Sequence, residues 1–277
     1  MKVRVRLWVK IVLFIIALLI LLFIYCRFIN TSGFNVHEYS IKANVPDSFN
    51  GLKIVHISDI NYKHTTSKKD LERIVKRINL IRPDIVVFTG DLLNKNIEYS
   101  ENDINDLIKV LSKINTSIGA YAVSGEEDIA FDNWEDILNK SHFTILDNNY
   151  ELIYNKANDP ILISGMNYNG DNIDSTIGYL NNTDIYSILL VHKPDYIDDI
   201  DYSKFNLILA GHSLNGYINI PMIKNIFLDE GAKKYYDSYY KLDKTRLYIS
   251  NGIGTKNIKF RFLNKPSINF YRLKKVD

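Results

Sequence analysis

The sequence contains a single cysteine among its 277 residues, Cys26, and this scarcity excludes two kinds of site. One cysteine cannot form a disulfide within the chain, and it cannot build a metal site from several thiolates. A metal ion would therefore have to be held by histidine, aspartate, glutamate or asparagine side chains. Histidine is also scarce, with six residues, so there are few candidate imidazole ligands.

Basic residues are in slight excess over the whole chain, but they are concentrated at its N-terminus. The chain has 34 lysines and arginines against 32 aspartates and glutamates. The first 30 residues hold five basic residues and no acidic ones, so the remainder carries 29 basic against 32 acidic residues. A weakly acidic domain without a basic stripe is a poor binder of nucleic acid, and we expect no nucleic-acid partner.

One long apolar run dominates the N-terminal part of the chain. Residues 11–26 are all apolar, and the run is long enough to span a membrane if Lys10 snorkels to the interface. A cleaved signal peptide would be shorter and would end in small residues, whereas Tyr25-Cys26-Arg27-Phe28 stands here. We therefore expect residues 1–30 to form an uncleaved transmembrane anchor. The basic residues before it predict a cytoplasmic N-terminus and an extracellular domain.

The rest of the chain alternates short apolar runs with amphipathic stretches, which is typical of an α/β fold. Residues 31–50 are expected to form a linker with an edge strand, and residues 51–277 a single domain. Ser67 and Ser100 are expected to cap two helices, the first running to Asn79. The predicted strands are Leu52–Ser58, Asp84–Thr89, Ala120–Val123, Ile161–Ser164, Ser187–Val191 and Asn206–Ala210, with a β-rich tail at Arg246–Ser250, Ile258–Phe262 and Ile268–Leu273.

Five of these strands run directly into a polar cluster at their carboxyl end. The clusters are Ser58-Asp59, Gly90-Asp91, Ser124-Gly125-Glu126-Glu127-Asp128, His192-Lys193 and Gly211-His212. Ligands of open α/β sheets bind outside the carboxyl ends of the strands, and converging carboxylates and imidazoles form a cation site. Any one cluster could simply cap a helix or open a turn. Five clusters together favour a metal site.

These clusters resemble, in order and spacing, the calcineurin-like metallophosphoesterase superfamily. The resemblance is strongest to its membrane-associated bacterial branch, related to lipid-linked nucleotide pyrophosphatases. Supporting stretches are Arg82-Pro83-Asp84, Thr89-Gly90-Asp91-Leu92, Leu189–Pro194 and Thr245–Thr255. The resemblance implies two facing mixed β-sheets flanked by helices, with two divalent cations at the strand ends. Such cations activate water and stabilise the in-line displacement at phosphorus.

The resemblance also assigns roles to individual residues. Asp59 corresponds to a terminal ligand of the first metal and Asp91 to the carboxylate that bridges both metals. His192 and His212 correspond to imidazole ligands of the second metal. Glu126 could replace an amide oxygen that the family usually supplies to this second ion. Glu127, a candidate catalytic residue, stands where the family has a histidine thought to protonate the leaving group.

Several positions depart from the family pattern. Asn61 and Leu214 stand where the family has histidine ligands of the first metal, and Leu214 cannot ligate anything. The first site therefore loses both imidazoles, and we expect one bound ion or an altered pair. The sequence does not distinguish manganese, iron, zinc or magnesium. The ammonium group of Lys63 could lie near the vacated first metal position and neutralise Asp59 and Asp91. His64 could in principle replace a missing ligand.

Two functions from different classes follow. The first is a membrane-anchored metallophosphoesterase that hydrolyses a phosphodiester or pyrophosphate bond of a phosphorylated small molecule or a lipid-linked substrate. The second is a catalytically inactive pseudo-phosphoesterase that serves as a binding domain. The retained Asp59, Asp91, His192 and His212 favour the first. The lost leaving-group histidine favours the second, since general acid catalysis contributes roughly 100- to 10,000-fold in rate.

Overall fold

The apolar N-terminal run forms helix α1, Leu7–Ile24, which continues as a π-helical turn over Tyr25–Ile29 in a computed structural model of the chain. The structure describes residues 6–171, 173–220 and 228–276. Together the two helical segments are long and apolar enough to cross a membrane. Apart from Lys10, the side chains of α1 are apolar, and they are largely exposed all around the helix, as a lipid environment requires. The sequence expectation of a spanning helix therefore agrees with the structure in length and composition.

The first of two six-stranded sheets contains both the first and the last strand of the chain. Its central strands β2 (Lys53–Ile57), β3 (Ile85–Thr89) and β4 (Gly119–Val123) run parallel, because helices connect them. In spatial order the sheet contains β1 (Asn35–Ala43), β12 (Ser267–Lys275), β2 (Lys53–Ile57), β3 (Ile85–Thr89), β4 (Gly119–Val123) and β5 (Phe143–Ile145). Strand β12 runs parallel to β1 and antiparallel to β2, so the sheet is mixed.

The second sheet is also mixed, with antiparallel strands at both edges. In spatial order it contains β10 (Tyr239–Leu242), β11 (Thr245–Ile249), β9 (Leu207–Ala210), β8 (Ser187–Val191), β7 (Ile161–Gly165) and β6 (Asn149–Ile153). The four inner strands are parallel, and β10 and β6 pair antiparallel with their neighbours. Four strands are buried along most or all of their length: β7, β8 and β9 of this sheet and β3 of the first sheet. Their burial explains their continuous apolar sequences.

The two sheets face each other across a common hydrophobic core. Ile54 and Val87 of the first sheet belong to one buried cluster with Ile163, Leu190 and Leu209 of the second. Helices cover the outer faces. They are α2 (Lys68–Ile81), α3 (Glu101–Leu111) and α4 (Trp134–Lys140) on the first sheet, and α5 (Asp174–Leu180) on the second. The predicted class of two facing mixed sheets flanked by helices is confirmed.

Both predicted helix starts are confirmed at the level of the cap. Ser67 Oγ accepts a hydrogen bond from the Asp70 amide at 3.2 Å at the start of α2. Ser100 and Asp103 form a reciprocal capping box at the start of α3. Helix α2 ends at Ile81, and its C-cap residue Arg82, with a left-handed backbone (φ +53°), directly precedes Pro83.

One predicted strand is wrong. Residues 258–262 form a loop, and only Phe262 makes an isolated bridge, to Ile218. Their apolar side chains pack against the anchor instead: the ring of Phe260 lies 6.1 Å from that of Phe23, and the ring of Phe262 lies 6.4 Å from that of Tyr25. The alternating apolar residues thus contact the N-terminal helical segment and do not form a strand.

Candidate metal centre

Residues from four strand ends meet at one edge of the two sheets. Asp59 follows β2, Asp91 follows β3, His192 follows β8 and His212 follows β9. All four side chains are buried. The chain separation is large, since His212 donates its backbone N–H to Asp59 Oδ2 at 3.2 Å across 153 residues of sequence. The facing sheets therefore bring together the four residues that the sequence singled out.

Three of these side chains converge closely enough to share one ion. Asp91, His192 and His212 each offer a ligand atom, and these atoms lie within 4.8 Å of one another. His192 Nε2 lies 3.5 Å from Asp91 Oδ2 and 3.3 Å from His212 Nδ1. Two imidazole nitrogens bound to one tetrahedral zinc ion at about 2.0–2.1 Å lie roughly 3.4 Å apart. The spacing therefore fits a single cation.

The other nitrogen of each imidazole is fixed by a backbone carbonyl. His192 Nδ1 donates to the carbonyl of Thr89 at 2.7 Å, and His212 Nε2 donates to the carbonyl of Glu230 at 2.8 Å. A carbonyl accepts only from N–H, so these nitrogens carry the protons in the neutral rings. The lone pairs of His192 Nε2 and His212 Nδ1 are left facing each other beside Asp91. Such outer hydrogen bonds are typical of metal-binding histidines.

Burial and neighbouring charges together determine how many protons each of the two imidazoles carries. Burial acts to lower the pKa of His192, but the charge and hydrogen bond of Asp91 outweigh it and raise the pKa to about 9. Burial and the neighbouring charge of His192 lower the pKa of His212 to about 3. One imidazole is thus protonated and the other neutral, so the cluster already balances the Asp91 carboxylate with a positive charge. A cation would take the place of that proton.

Asp128 holds the loops of this centre in place, a role that the sequence did not reveal. Its carboxylate accepts hydrogen bonds from four backbone amides, at 2.8–3.0 Å. The donors are the amides of Asp91, Leu92, Leu93 and Gly125. Burial and the charge of Asp91 raise the pKa of Asp128, while these amide hydrogen bonds favour its ionised form. Asp128 therefore ties the loop after β3 to the loop after β4.

The two neighbouring glutamates lie beside the centre and are paired with lysines. The carboxylate of Glu126 lies between Lys193 Nζ, at 2.8 Å, and Lys256 Nζ. Glu127 is fully buried, with Oε1 3.2 Å from Lys95 Nζ and 3.6 Å from Lys256 Nζ. Neither glutamate belongs to the convergent group of Asp91, His192 and His212. The structure thus places Glu126 between two ammonium groups and apart from that convergent group.

Asn61 and Leu214, which stand where the family has histidine ligands of the first metal, make other contacts. The side-chain oxygen of Asn61 accepts a hydrogen bond from Asn94 Nδ2 at 2.7 Å. Leu214 is buried and packs so closely against Gly252 that a Cβ atom there would clash with it. Burial and the charge of Asp91 raise the pKa of Asp59 to about 6, against the effect of His192. Asp59 and Leu214 line a cavity of about 20 Å³, enough for one water-sized ligand.

Lys63 and His64 do not enter this cavity. Lys63 Nζ pairs with Asp103 at 2.6 Å, and His64 Nε2 contacts the carbonyl of Asn257 at 2.6 Å. Among the described residues, Lys256 is the lysine that lines the cavity, and it comes from a loop near the C-terminus. Sequence reasoning missed Lys256 because no strand leads into it and nothing local marks it.

Backbone conformation at the site is unusual. Asp59, Asn61, Asp91, His212 and Leu214 all have φ between +48° and +61°. Residues with a Cβ atom seldom adopt this left-handed region, and its strain concentrates at functional sites. The packed loops therefore hold their side chains in orientations that a relaxed backbone would not give.

Two facing mixed sheets with carboxylates and imidazoles gathered at the strand ends define a metallophosphoesterase-type protein. The family of calcineurin-like phosphoesterases matches residues 52–218, and the chain belongs to this family of phosphoester hydrolases.

Relatives extend the likeness beyond the matched region. The uncharacterized metallophosphoesterase YkuE of Bacillus subtilis is 28% identical over 261 residues, covering 91% of this chain and 90% of its own length. The UDP-2,3-diacylglucosamine pyrophosphatase LpxG of Chlamydia muridarum is 23% identical over 280 residues, covering 80% of this chain and 83% of its own length. A transmembrane protein with metallophosphoesterase domain from Danio rerio is 25% identical over 250 residues, covering 84% of this chain and 55% of its own length. Relatives of this kind and the apolar helix indicate membrane association.

Proposed function

We propose that this protein is a membrane-anchored hydrolase of phosphodiester or pyrophosphate bonds that uses one divalent cation, held by Asp91, His192 and His212. The observation that carries the proposal is the pair of inner imidazole nitrogens, His192 Nε2 and His212 Nδ1, which face each other at 3.3 Å. Two lone pairs at this distance repel unless a proton or a cation lies between them. The carbonyls of Thr89 and Glu230 fix both rings so that neither can turn away.

The donor set favours some ions over others. Imidazole suits zinc, iron and manganese better than magnesium, which prefers an all-oxygen shell. A bound cation supplies Lewis-acid chemistry, lowering the pKa of water and stabilising the phosphoryl oxygens. Asp59, linked to the backbone of His212, adds negative charge on the far side of the cavity.

Charged side chains beside the cation would act on the substrate. Lys256 lines the cavity, and its ammonium group can bind a phosphoryl oxygen. Lys193 shares Glu126 with it and adds a second positive charge nearby. Glu127 remains our proposed catalytic residue, with Oε1 3.6 Å from Lys256 Nζ. Glu126 holds both lysines in place, and a ligand role would require it to leave them.

A lipid-linked substrate is favoured by the position of the cavity. Ile258 lines the cavity and is 61% exposed. Two residues later, Phe260 packs on Phe23 of the N-terminal helix. The entrance therefore lies on the side of the molecule that carries the anchor. One relative, LpxG, is named for a pyrophosphatase activity on a diacylated sugar nucleotide. We extend this class of substrate to the present chain, beside phosphorylated small molecules.

We further propose the arrangement of the chain in the membrane. Residues 1–30 form a single-pass anchor, residues 31–50 a linker with strand β1, and residues 51–277 the phosphoesterase domain. The basic residues before the anchor favour a cytoplasmic N-terminus and an extracellular domain.

The proposal is tested by measuring metal content and turnover on the full-length protein in detergent. Mass spectrometry should find one zinc, iron or manganese ion per chain, and a generic phosphodiester should be hydrolysed. Asp91→Asn and His192→Ala should each remove both the metal and the activity, whereas His37→Ala, a histidine in β1, should leave both unchanged. Turnover that survives in both site variants would refute the assignment.

A second function is favoured by a specific observation: Leu214 and the lysine-paired Glu126 occupy positions that should serve metal ligands. The protein would then be an inactive phosphoesterase fold that binds a ligand. Wild-type protein that retains no metal and turns over no phosphodiester would support this function against the first.

A further inference from the structure

A second cavity lies where the anchor joins the domain, with a volume of about 50 Å³. Thr31, Gly33 and Phe34, just after the helical anchor, form part of its wall. Arg73 of α2 and Lys259 and Arg261 of the C-terminal loop also line it. Of the residues described, it shares only Thr255 with the metal-site cavity. It is therefore a separate place in the fold.

Arg261 is the unusual residue of this cavity. It is 1% exposed, and its Nη2 atom donates to the carbonyls of Gly252, at 3.2 Å, and Gly254, at 2.7 Å. Its Nη1 atom is buried without a hydrogen-bond partner. Within the described part of the chain, no carboxylate forms an ion pair with it, although Asp59 is near enough to favour its charged form. A buried guanidinium with an unused donor is costly unless an anion completes it.

Two more cations reach the same cavity. Arg73 Nη1 lies 3.5 Å and Lys259 Nζ 3.9 Å from the carboxylate of Asp70, which also lines the cavity. Two basic side chains therefore share Asp70, while Arg261 forms no ion pair within the described residues. Arginines with free N–H groups recognise the oxygens of phosphate groups well.

The cavity is fixed close to the end of the helical anchor. The Arg261 amide donates to the carbonyl of Cys26 at 3.2 Å, within the last turn of the helical segment. The polar headgroup region begins where the apolar part of a spanning helix ends. Basic side chains at this level attract anionic headgroups.

We propose that this cavity is a phosphate-binding site, in which Arg261 completes its hydrogen bonds with a phosphate group and Arg73 and Lys259 neutralise it. The phosphate belongs either to the headgroup of an anionic membrane lipid or to a soluble phosphate compound. Both sources present the same tetrahedral anion, and the position beside the anchor places a lipid headgroup within reach.

The test uses the full-length protein with Asp91→Asn and His192→Ala in place, so that the metal centre cannot contribute. In the lipid arm, nanodiscs of phosphatidylcholine with or without phosphatidylglycerol are compared by native mass spectrometry of retained lipid. In the soluble arm, inorganic phosphate is added in neutral detergent and thermal unfolding is followed. Retained phosphatidylglycerol identifies a headgroup site, and stabilisation by inorganic phosphate alone identifies a soluble ligand.

In either arm, Arg73→Gln with Lys259→Gln should weaken binding by roughly 25-fold, because each basic residue contributes about fivefold. The control, Arg77→Gln with Lys244→Gln, removes the same charge from exposed residues elsewhere and should bind like the parent. Arg261→Gln should abolish binding; if that variant does not fold, the double variant decides. Equal binding by double variant and control, or binding in neither arm, overturns the proposal. Both proposals can fail separately, since this background lacks the metal ligands.

Discussion

At the scale of single residues, the candidate centre depends on which atoms are already used. The outer nitrogens of His192 and His212 are committed to backbone carbonyls, and the inner nitrogens face each other beside Asp91. The sequence cannot show this, because the acceptors at Thr89 and Glu230 are backbone carbonyls, which every residue type has. It did show the four ligand candidates, since each follows an apolar strand.

Restoring one imidazole should rebuild part of the missing site. Leu214→His places a nitrogen ligand on the cavity that Asp59 also lines. We expect the metal content to rise from one ion towards two per chain, with faster turnover of a phosphodiester. Mass spectrometry of the purified protein and initial rates measure both.

Leu214→Phe is the matched control, because it introduces a ring without a ligand atom. If the histidine and phenylalanine variants hold the same amount of metal, the neighbourhood of Asp59 does not form a metal site.

His56 should make stability depend on pH. It is fully buried, with Nε2 2.8 Å from Thr89 Oγ1, and burial lowers its pKa to about 3. The unfolded chain binds a proton at about pH 6.5, so the stability contributed by neutral His56 is complete above that pH and is lost as the pH falls towards 3. Between about pH 7 and pH 5, the wild type should lose about 2 kcal/mol more than His56→Gln.

Urea unfolding in detergent at both pH values measures this difference. His64→Gln, which changes a histidine outside the core, should follow the wild type. Parallel pH profiles for the wild type and His56→Gln would show that His56 is not held neutral in the folded protein.

At the scale of elements, local signals in the sequence were sufficient where they acted alone. Ser67 and Ser100 capped helices where expected, because their hydroxyls satisfy nearby amides whatever the rest of the fold does. Residues 258–262 failed as a strand because their packing partner is the distant anchor. Lys256 and Arg261 were missed for the same reason, since both lie in this C-terminal loop and act only through long-range contacts.

The loop after β4 should tolerate no side chain at Gly125. A Cβ atom there would clash with Oδ1 of Asp91. Gly125→Ala should therefore displace the Asp91 carboxylate and reduce metal retention by at least tenfold, about 1.4 kcal/mol. Competition with a coloured chelator measures the affinity.

Gly178→Ala is the control, because Gly178 lies within α5 with open space around its Cα atom. Alanine has a higher helix propensity than glycine, so this variant should bind metal normally and unfold at a slightly higher temperature. Unchanged affinity in Gly125→Ala would mean that Asp91 is not a ligand.

At the scale of the whole molecule, the proposed orientation can be read with single cysteines. Replacing Cys26 with serine leaves no thiol, and Lys244→Cys then places one on the exposed hairpin between β10 and β11. A membrane-impermeant maleimide should label this thiol in intact cells. Lys2→Cys in the same background should react only after the cells are opened, and the reverse pattern would invert the proposed topology.

One loop carries Lys256 and Ile258 to the cavity and Phe260 to the N-terminal helix, and in the proposed arrangement it would set the height of the metal centre above the bilayer. With the proposed anchor in a bilayer, the enzyme would meet the proposed lipid-linked substrates by lateral diffusion. Its velocity would follow the mole fraction of substrate in the surrounding leaflet, and diluting that leaflet with inert lipid would slow it even at constant bulk concentration.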